Sequence, residues 1–131
     1  MKILLDSHFL LWIGYNKIQE IPNYAKQLIE NPDNQIYFSL VSIWELYIKE
    51  VLEKFDYSVD IEKLRIGLSQ TGFYELPITH RHIFEVKNLP QMPKHKDPFD
   101  RLLIAQAKSE NFYFLTVDEK ILEYPYDFII K

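Results

Sequence analysis

The sequence predicts an α/β protein in which helices flank a central, mostly parallel sheet. Short apolar runs recur along the chain, and segments with helical periodicity separate them. An apolar run without polar alternation is typical of a strand buried on both faces, as in parallel sheets. Aspartates follow two of these runs, at residues 6 and 118. Parallel sheets bind ligands beyond the carboxyl ends of their strands, so both positions are candidates for function.

Length and composition favour one globular domain over residues 1–131. The chain is 47% hydrophobic, and its net charge of −4 argues against a protein that coats nucleic acid through bulk positive charge. It contains no cysteine, which excludes disulfides and thiolate zinc sites and fits a reducing compartment. We find neither a secretion signal nor a membrane span, and we expect a cytoplasmic protein without a membrane partner.

The first elements are a buried strand and a short helix, with Asp6 between them. Residues 2–5 form the first apolar run, and residues 7–13 predict a helix. Asp6 is therefore either a functional acid at a strand end or the N-cap of that helix, and both interpretations stay open at this point. Residues 22–31 predict a second helix, and residues 36–38 predict a second strand.

A long helix over residues 40–55 carries an acid that we expect to face the core. Its predicted apolar stripe consists of Val41, Trp44, Ile48, Val51, Leu52 and Phe55. Glu45 falls within this stripe, where a glutamate is unfavourable unless it is paired or bound to a metal. Lys49, one turn further on, offers an ordinary salt bridge as the alternative. Ile43 and Leu46 lie outside the stripe, so another element or subunit is expected to cover a second side.

The middle of the chain predicts three further elements and a proline-containing loop. They are a helix over residues 60–70, a strand over 73–76, a helix over 79–88 and a loop over 89–96. Gly72 ends the first of these helices, and Thr79 is the expected N-cap of the second. His80 and His82 point in different directions on that helix, so we expect two surface residues rather than a zinc pair.

The next helix carries two acids in its opening turn. Asp97 followed by Pro98 is typical of an N-cap and a first helical residue. Asp100 is then the third helical residue, and it shares one side of the helix with Leu103, Ile104 and Ala107. The side expected to face solvent carries Arg101, Ala105 and Lys108. Taken alone, Asp100 is either a second capping group or a ligand for a positive charge.

The last strands complete a pattern of acids at one sheet edge. Residues 112–116 and 127–130 predict strands, and Asp118 follows the first of them. The acids expected to converge are Asp6, Glu45, Asp100 and Asp118. Carboxylates about 4 Å apart repel by roughly 4 kcal/mol at an intermediate dielectric, so such a cluster requires protons or a cation. All-oxygen ligation suits Mg²⁺ or Mn²⁺, which can activate water for phosphodiester hydrolysis.

Four stretches of the chain resemble the PIN-domain family, and specifically the VapC-type toxin ribonucleases of toxin–antitoxin pairs. They are residues 4–8 (Leu-Leu-Asp-Ser-His), 42–45 (Ser-Ile-Trp-Glu), 95–107 (beginning His-Lys-Asp-Pro-Phe-Asp-Arg) and 115–118 (Leu-Thr-Val-Asp). The resemblance covers essentially the whole chain. It implies an Mg²⁺- or Mn²⁺-dependent endoribonuclease with an RNA substrate, a cognate antitoxin that occupies the active groove, and frequent homodimerisation.

The resemblance also implies roles for individual residues. The family's metal-binding acids correspond by position to Asp6, Glu45, Asp100 and Asp118. Thr116 corresponds to the small hydroxyl near the last acid, and Ser7 stands where the family commonly has threonine. Asp97 follows a subgroup pattern rather than the shared set of acids.

Basic residues beside the acids offer a second kind of contact. Lys94, Lys96 and Arg101, with His95, could meet RNA phosphates. The alternative for the same residues is a solvated loop, and both interpretations stay open.

Other protein classes compete with the nuclease interpretation. A phosphoacceptor receiver domain also gathers acids around Mg²⁺, but it normally has paired acids after its first strand, where this chain has Asp6 alone. An aspartyl-nucleophile phosphatase needs Asp-x-Asp, whereas residues 6–8 are Asp-Ser-His. A catalytically silent PIN-like module that binds RNA or protein is the harder alternative, because intact ligands do not prove turnover. Cleavage of RNA in the presence of Mg²⁺ distinguishes an enzyme from such a module.

Overall fold

A sheet of five strands lies at the centre of the computed structural model, which describes all 131 residues. The strands are β1 (Lys2–Leu5), β2 (Gln35–Ser39), β3 (Tyr74–Leu76), β4 (Tyr113–Leu115) and β5 (Ile129–Ile130). The helices are α1 (Ser7–Gly14), α2 (Asn23–Glu30), α3 (Leu40–Val51), α4 (Ile61–Gln70), α5 (His80–Glu85), α6 (Pro98–Glu110) and α7 (Glu119–Leu122). No helix has both the length and the apolar character that crossing a bilayer requires.

β1 occupies the middle of the sheet, whose strand order is β3-β2-β1-β4-β5. Leu4 of β1 pairs with Tyr37 on one side and with Phe114 on the other. All four strand pairings are parallel, so the predicted α/β class and parallel sheet are confirmed. Because parallel strands end at the same edge, the residues that follow β1, β2 and β4 lie close together.

Helices cover both faces of the sheet, and β1 contributes side chains to both cores. Ile3 and Leu5 pack on one face with residues of α1 such as Phe9. Leu4 packs on the other face with residues of α6 such as Leu103. All three β1 side chains are fully buried, as the absence of polar alternation predicted.

α3 buries only part of the apolar stripe that the sequence predicted. Val41 of that stripe is buried, but Trp44 and Val51 are exposed, and so is Leu52, which directly follows the helix. The side that carries Ile43 and Leu46 is covered, as expected, because both residues pack in the core to which α1 and α4 contribute. α3 also ends before residue 55, since Glu53 has a left-handed backbone with φ 54°.

Two positions that we expected at the surface are buried. His82 lies between α5 and α6, where its Nδ1 accepts a hydrogen bond from the Thr79 backbone N–H and its Nε2 lies 2.9 Å from Glu110 Oε2. Ala105 is fully buried because α6 packs against α3, α5 and β4 and keeps little free surface. His80 is exposed, as predicted.

Candidate active site

A cleft of about 350 Å³ opens at the carboxyl edge of the sheet, between α1, α3 and the start of α6. Its lining residues are Asp6, Ser7, His8, Leu11, Glu45, Leu46, Lys49, Phe55, Asp97, Asp100 and Asp118. The structure therefore brings the four predicted acids to one cleft, with Asp97 as a fifth. Lys49 is the only lysine or arginine in the lining, so the acids greatly outnumber the cations there.

Asp6 lies at the bottom of the cleft and is 2% exposed. Its Oδ1 accepts a 2.7 Å hydrogen bond from the Ser7 backbone N–H, and its Oδ2 accepts one of 2.7 Å from Thr116 Oγ1. Asp6 thus caps α1 and also faces the cleft, so both sequence interpretations describe part of its role. Burial raises the pKa of the Asp6 carboxyl above its ordinary value, although the hydrogen bond from Thr116 opposes the shift.

Glu45 reaches the cleft from α3 with a side chain that is 11% exposed. Its Oε1 accepts a 2.8 Å hydrogen bond from Ser7 Oγ, which also lies 2.8 Å from Ser42 Oγ. Its Oε2 lies 3.3 Å from Lys49 Nζ. The salt bridge that we considered as the alternative role is therefore present, but it occupies one oxygen of a carboxylate that still lines the cleft.

Asp97 caps α6, as the sequence predicted. Its Oδ1 accepts hydrogen bonds from the backbone N–H groups of Phe99 (2.9 Å) and Asp100 (3.2 Å). It does more than cap, because carboxylate oxygens of Glu45, Asp97 and Asp100 lie within 4.8 Å of one another. Asp97 and Asp100 are three residues apart, and this spacing at a helix start was the available signal that both face one cleft.

Asp100 is half-buried and contacts His95, whose Nε2 lies 3.0 Å from Asp100 Oδ2. Burial raises the pKa of Asp100 to about 6, and the negative charges of Asp6 and Asp97 add to the increase. The hydrogen bond with His95 acts in the opposite direction. The Asp100 carboxyl is therefore half protonated near pH 6 and mostly ionised at neutral pH.

Asp118 also lines the cleft, but it is not among the three acids whose oxygens lie within 4.8 Å of one another. It caps α7 by accepting a hydrogen bond from the Lys120 backbone N–H at 2.9 Å. Its own backbone N–H donates to Thr116 Oγ1 at 3.0 Å, and the same hydroxyl donates to Asp6. Thr116 thus connects the acid at the end of β1 to the segment that follows β4.

The basic residues beside the acids divide into two groups. Lys94 and Lys96 are exposed, so they remain free to contact a polyanion. Arg101 and His95 are not in a solvated loop: Arg101 is half-buried and donates to the Pro90 carbonyl, and His95 is 5% exposed. Contact of these two residues with RNA phosphates stays a prediction, although His95 is buried and Arg101 is only partly exposed. His95 contacts an acid of the cleft, which the sequence pattern did not reveal.

The donor set fits a hard divalent cation. It consists of carboxylate oxygens, with hydroxyl groups beside them and no thiolate or histidine cluster, and Mg²⁺ and Mn²⁺ prefer such oxygen ligands. Two of the carboxyls, those of Asp6 and Asp100, have pKa values raised by burial. The cleft is therefore electrostatically unfavourable when all its acids are ionised, and a cation would relieve the repulsion.

The chain is similar to known proteins over most of its length. The family model described as PIN domain matches residues 3–125. A search of curated proteins finds no match. Among solved structures, the chain is similar to VapBC2 from Rickettsia felis bound to a promoter DNA fragment, with 17% identity, a TM-score of 0.68 and 95% of this chain and 94% of that chain covered.

Two further solved structures share the fold. A toxin-antitoxin complex from Klebsiella pneumoniae is 21% identical, with a TM-score of 0.64 and coverage of 98% of this chain and 96% of that chain. DNA-bound VapBC from Salmonella typhimurium is 15% identical, with a TM-score of 0.60 and coverage of 95% and 93%. At these identities the likeness concerns the fold.

Proposed function

Because the chain belongs to the PIN domain family, we propose that it is a metal-dependent endoribonuclease of the VapC type, in which residues 1–131 act as one domain. The observation that carries the proposal is the convergence of five carboxylates in one cleft whose lining contains a single lysine. Such an arrangement is unfavourable without a cation, which makes a structural role alone a poor explanation.

The proposed metal ligands come from four separate segments of the chain. They are Asp6, Glu45, Asp100 and Asp118, with Asp97 close enough to Glu45 and Asp100 to join them. Mg²⁺ or Mn²⁺ held there would supply charge stabilisation at the phosphate and lower the pKa of a nearby water. Hydrolysis of RNA joins a water oxygen to phosphorus, breaks the bond from phosphorus to one sugar oxygen, and leaves a proton on that sugar oxygen.

Residues in and beside the cleft are proposed to orient the carboxylates and to contact the substrate. Ser7 holds Glu45, and Thr116 holds Asp6. The exposed Lys94 and Lys96 lie on the segment that leads into Asp97, where they are placed to contact phosphates of a bound RNA. Arg101 is partly exposed, and its contact with RNA stays a prediction, as does that of the buried His95.

Metal dependence is the first test. Incubation of the protein with single-stranded RNA should give cleavage in Mg²⁺ or Mn²⁺ and none in EDTA, and added Mn²⁺ should restore activity. Asp100→Asn serves as the matched inactive control because it keeps the shape of the side chain. Cleavage that persists in chelator at the same rate would contradict the metal mechanism.

A catalytically silent binding module remains the second candidate. It predicts that the wild-type protein binds RNA or a protein partner but leaves RNA intact in Mg²⁺ and Mn²⁺. The receiver alternative loses support, because receiver domains have the strand order 2-1-3-4-5, whereas this sheet has β3-β2-β1-β4-β5.

We further propose that a cognate antitoxin binds this chain. The likeness to structures described as VapBC and toxin-antitoxin complexes supports the proposal. The corresponding experiment is co-expression with a small reading frame that lies directly upstream of the one for this chain, followed by purification of the complex and an RNA cleavage assay. An antitoxin should co-purify and suppress cleavage, and a neighbour that does neither would remove the toxin assignment while leaving the nuclease.

The exposed side of α3 supports a homodimer. Large apolar residues on that side are 43–62% exposed: Trp44, Tyr47, Val51 and Leu52. An exposed apolar patch of this kind is typical of a protein–protein interface. Sedimentation equilibrium should give a dimer for the wild-type protein and a monomer for Val51→Glu. A monomeric wild-type protein would contradict the dimer.

A further inference from the structure

A chain of hydrogen bonds runs from Arg101 through Tyr124 and His95 to Asp100. Arg101 Nη1 lies 2.8 Å from the Tyr124 hydroxyl oxygen, and that oxygen lies 3.0 Å from His95 Nδ1. His95 Nε2 lies 3.0 Å from Asp100 Oδ2. Tyr124 is fully buried and His95 is 5% exposed, so water does not compete for these contacts. The Tyr124 hydroxyl and the His95 ring make no other hydrogen bonds within the protein.

The number of hydrogens on each group decides which partner donates in each of these hydrogen bonds. A guanidinium group can only donate, so the Tyr124 oxygen accepts from Arg101. The one hydrogen of the hydroxyl then has a single acceptor within reach, His95 Nδ1, and a buried hydroxyl hydrogen without an acceptor is unfavourable. Burial raises the pKa of Tyr124 above its ordinary value, so the hydroxyl keeps its hydrogen at neutral pH. His95 Nδ1 is therefore unprotonated, and the hydrogen of the neutral ring is on Nε2, facing Asp100.

We propose that Arg101 and Tyr124 are positioning residues that hold His95 in its Nε2–H tautomer, so that the ring donates to Oδ2 of Asp100 and fixes that carboxylate for the cation. The inference rests on the proposed function, because it concerns how a metal ligand is held. Oδ1 of Asp100 has no hydrogen-bond partner within the protein, and it is the oxygen left for the cation.

The opposite tautomer explains why the positioning matters. With its hydrogen on Nδ1, the ring would turn an unprotonated nitrogen toward the Asp100 carboxylate, and the two lone pairs would repel. The carboxylate would then rotate away from its place beside Glu45 and Asp97. Residues that orient metal ligands in this way commonly change metal affinity about 10- to 100-fold when they are substituted.

The first experiment reads the tautomer directly. Nitrogen chemical shifts of the His95 ring are measured in the metal-free protein labelled with ¹⁵N-histidine, at a pH between 7 and 8. We expect the shift of an unprotonated nitrogen at Nδ1 and that of a protonated nitrogen at Nε2. A hydrogen on Nδ1, alone or together with one on Nε2, would overturn the proposal.

The second experiment compares two tyrosines that differ in one contact. Tyr124→Phe removes the hydroxyl that connects Arg101 to His95. Tyr126→Phe is the control: its ring stacks on that of Tyr124 with the centroids 6.5 Å apart, but its hydroxyl makes no hydrogen bond within the protein. Mn²⁺ affinity is measured by titration calorimetry. Tyr124→Phe should weaken Mn²⁺ binding about 10- to 100-fold and give a mixture of His95 tautomers. Tyr126→Phe should leave both unchanged.

Equal Mn²⁺ affinity in the wild type and in Tyr124→Phe would overturn the proposal. These readouts are separate from the proposed function, which is judged by RNA cleavage. A wild-type protein that binds no Mn²⁺ would contradict the metal site, and the nitrogen shifts of His95 would still decide the tautomer.

Discussion

Each carboxylate of the cleft is held by a different neighbour, and this difference sets the effect of each substitution. Asp6 is held by a backbone N–H and by Thr116, Glu45 by Ser7 and Lys49, and Asp100 by His95. Carboxylates with few hydrogen bonds gain most from a cation, whereas those that cap helices also stabilise the fold. A substitution that removes only the charge of a side chain should therefore affect activity, and one that also removes a cap should affect stability.

Glu45→Gln should abolish RNA cleavage and leave the free energy of unfolding equal or slightly higher. The amide keeps the shape of the side chain, and its oxygen still accepts the hydrogen bond from Ser7. The substitution removes one negative charge from the cleft. RNA cleavage and thermal unfolding are the measurements. The control is Glu30→Gln, at an exposed position at the end of α2, which should retain full activity. Normal turnover and metal affinity in Glu45→Gln would remove Glu45 from the site.

Two substitutions separate capping from charge at Asp97. Asp97→Ala should lower the free energy of unfolding by about 0.5–2 kcal/mol, because the N–H groups of Phe99 and Asp100 lose their acceptor. Asp97→Asn should keep the stability, since asparagine caps as well as aspartate. Activity at low temperature should largely persist in both variants. If Asp97→Asn is stable but inactive in RNA cleavage, Asp97 belongs to the essential metal ligands.

At the scale of elements, patterns that depend on near neighbours in sequence predicted well. The acids at strand ends and the Asp97 cap were predictable because apolar runs and capping signals are local. Failures occurred where tertiary contacts decide the environment. His82 is buried because α6 packs over it, and the exposed side of α3 carries Trp44 and Val51, which the apolar stripe assigned to the core. His95 is held by Tyr124, which is 29 residues away in the sequence. A pattern of neighbouring residues cannot predict a contact over that separation.

One buried polar side chain links three elements and gives a stability prediction. Gln106 of α6 accepts a hydrogen bond from Ser39 Oγ at the end of β2, donates to the Pro77 carbonyl after β3, and contacts His82 of α5. Gln106→Leu should lower the free energy of unfolding by about 1–3 kcal/mol, because these buried groups lose their partner. Urea unfolding measures the change.

The exposed Gln27 on α2 provides the matched control. Gln27→Leu should change stability by no more than about 0.5 kcal/mol. An equal effect of the two substitutions would mean that the links between β2, α5 and α6 do not stabilise the fold.

For the whole molecule, the acids of the cleft make the stability of the metal-free protein depend on pH. An acid whose pKa is higher in the folded than in the unfolded state binds more protons when folded, so the free energy of unfolding falls as the pH rises through that interval. For Asp100 the interval runs from the ordinary value of 3.8 to about 6. The pKa of Asp6 is raised as well, and it acts in the same direction.

The melting temperature of the metal-free protein should reveal this dependence. Asp100→Asn should melt at a higher temperature than the wild type at pH 7, and the difference should shrink as the pH is lowered from about 6 toward about 4. Scanning calorimetry in EDTA across this range is the measurement. Addition of Mn²⁺ at pH 7 should stabilise the wild type and have little effect on the variant. A constant difference at all pH values would contradict the raised pKa of Asp100.

The hydrogen bond from Thr116 to Asp6 joins residues that are 110 positions apart. During synthesis, β1 leaves the ribosome well before β4, its neighbour in the middle of the sheet. At about 5–20 residues per second, Thr116 is made roughly 5–20 seconds after Asp6. A protein proposed to cut RNA therefore has no assembled cleft in a nascent chain that has not yet reached Thr116.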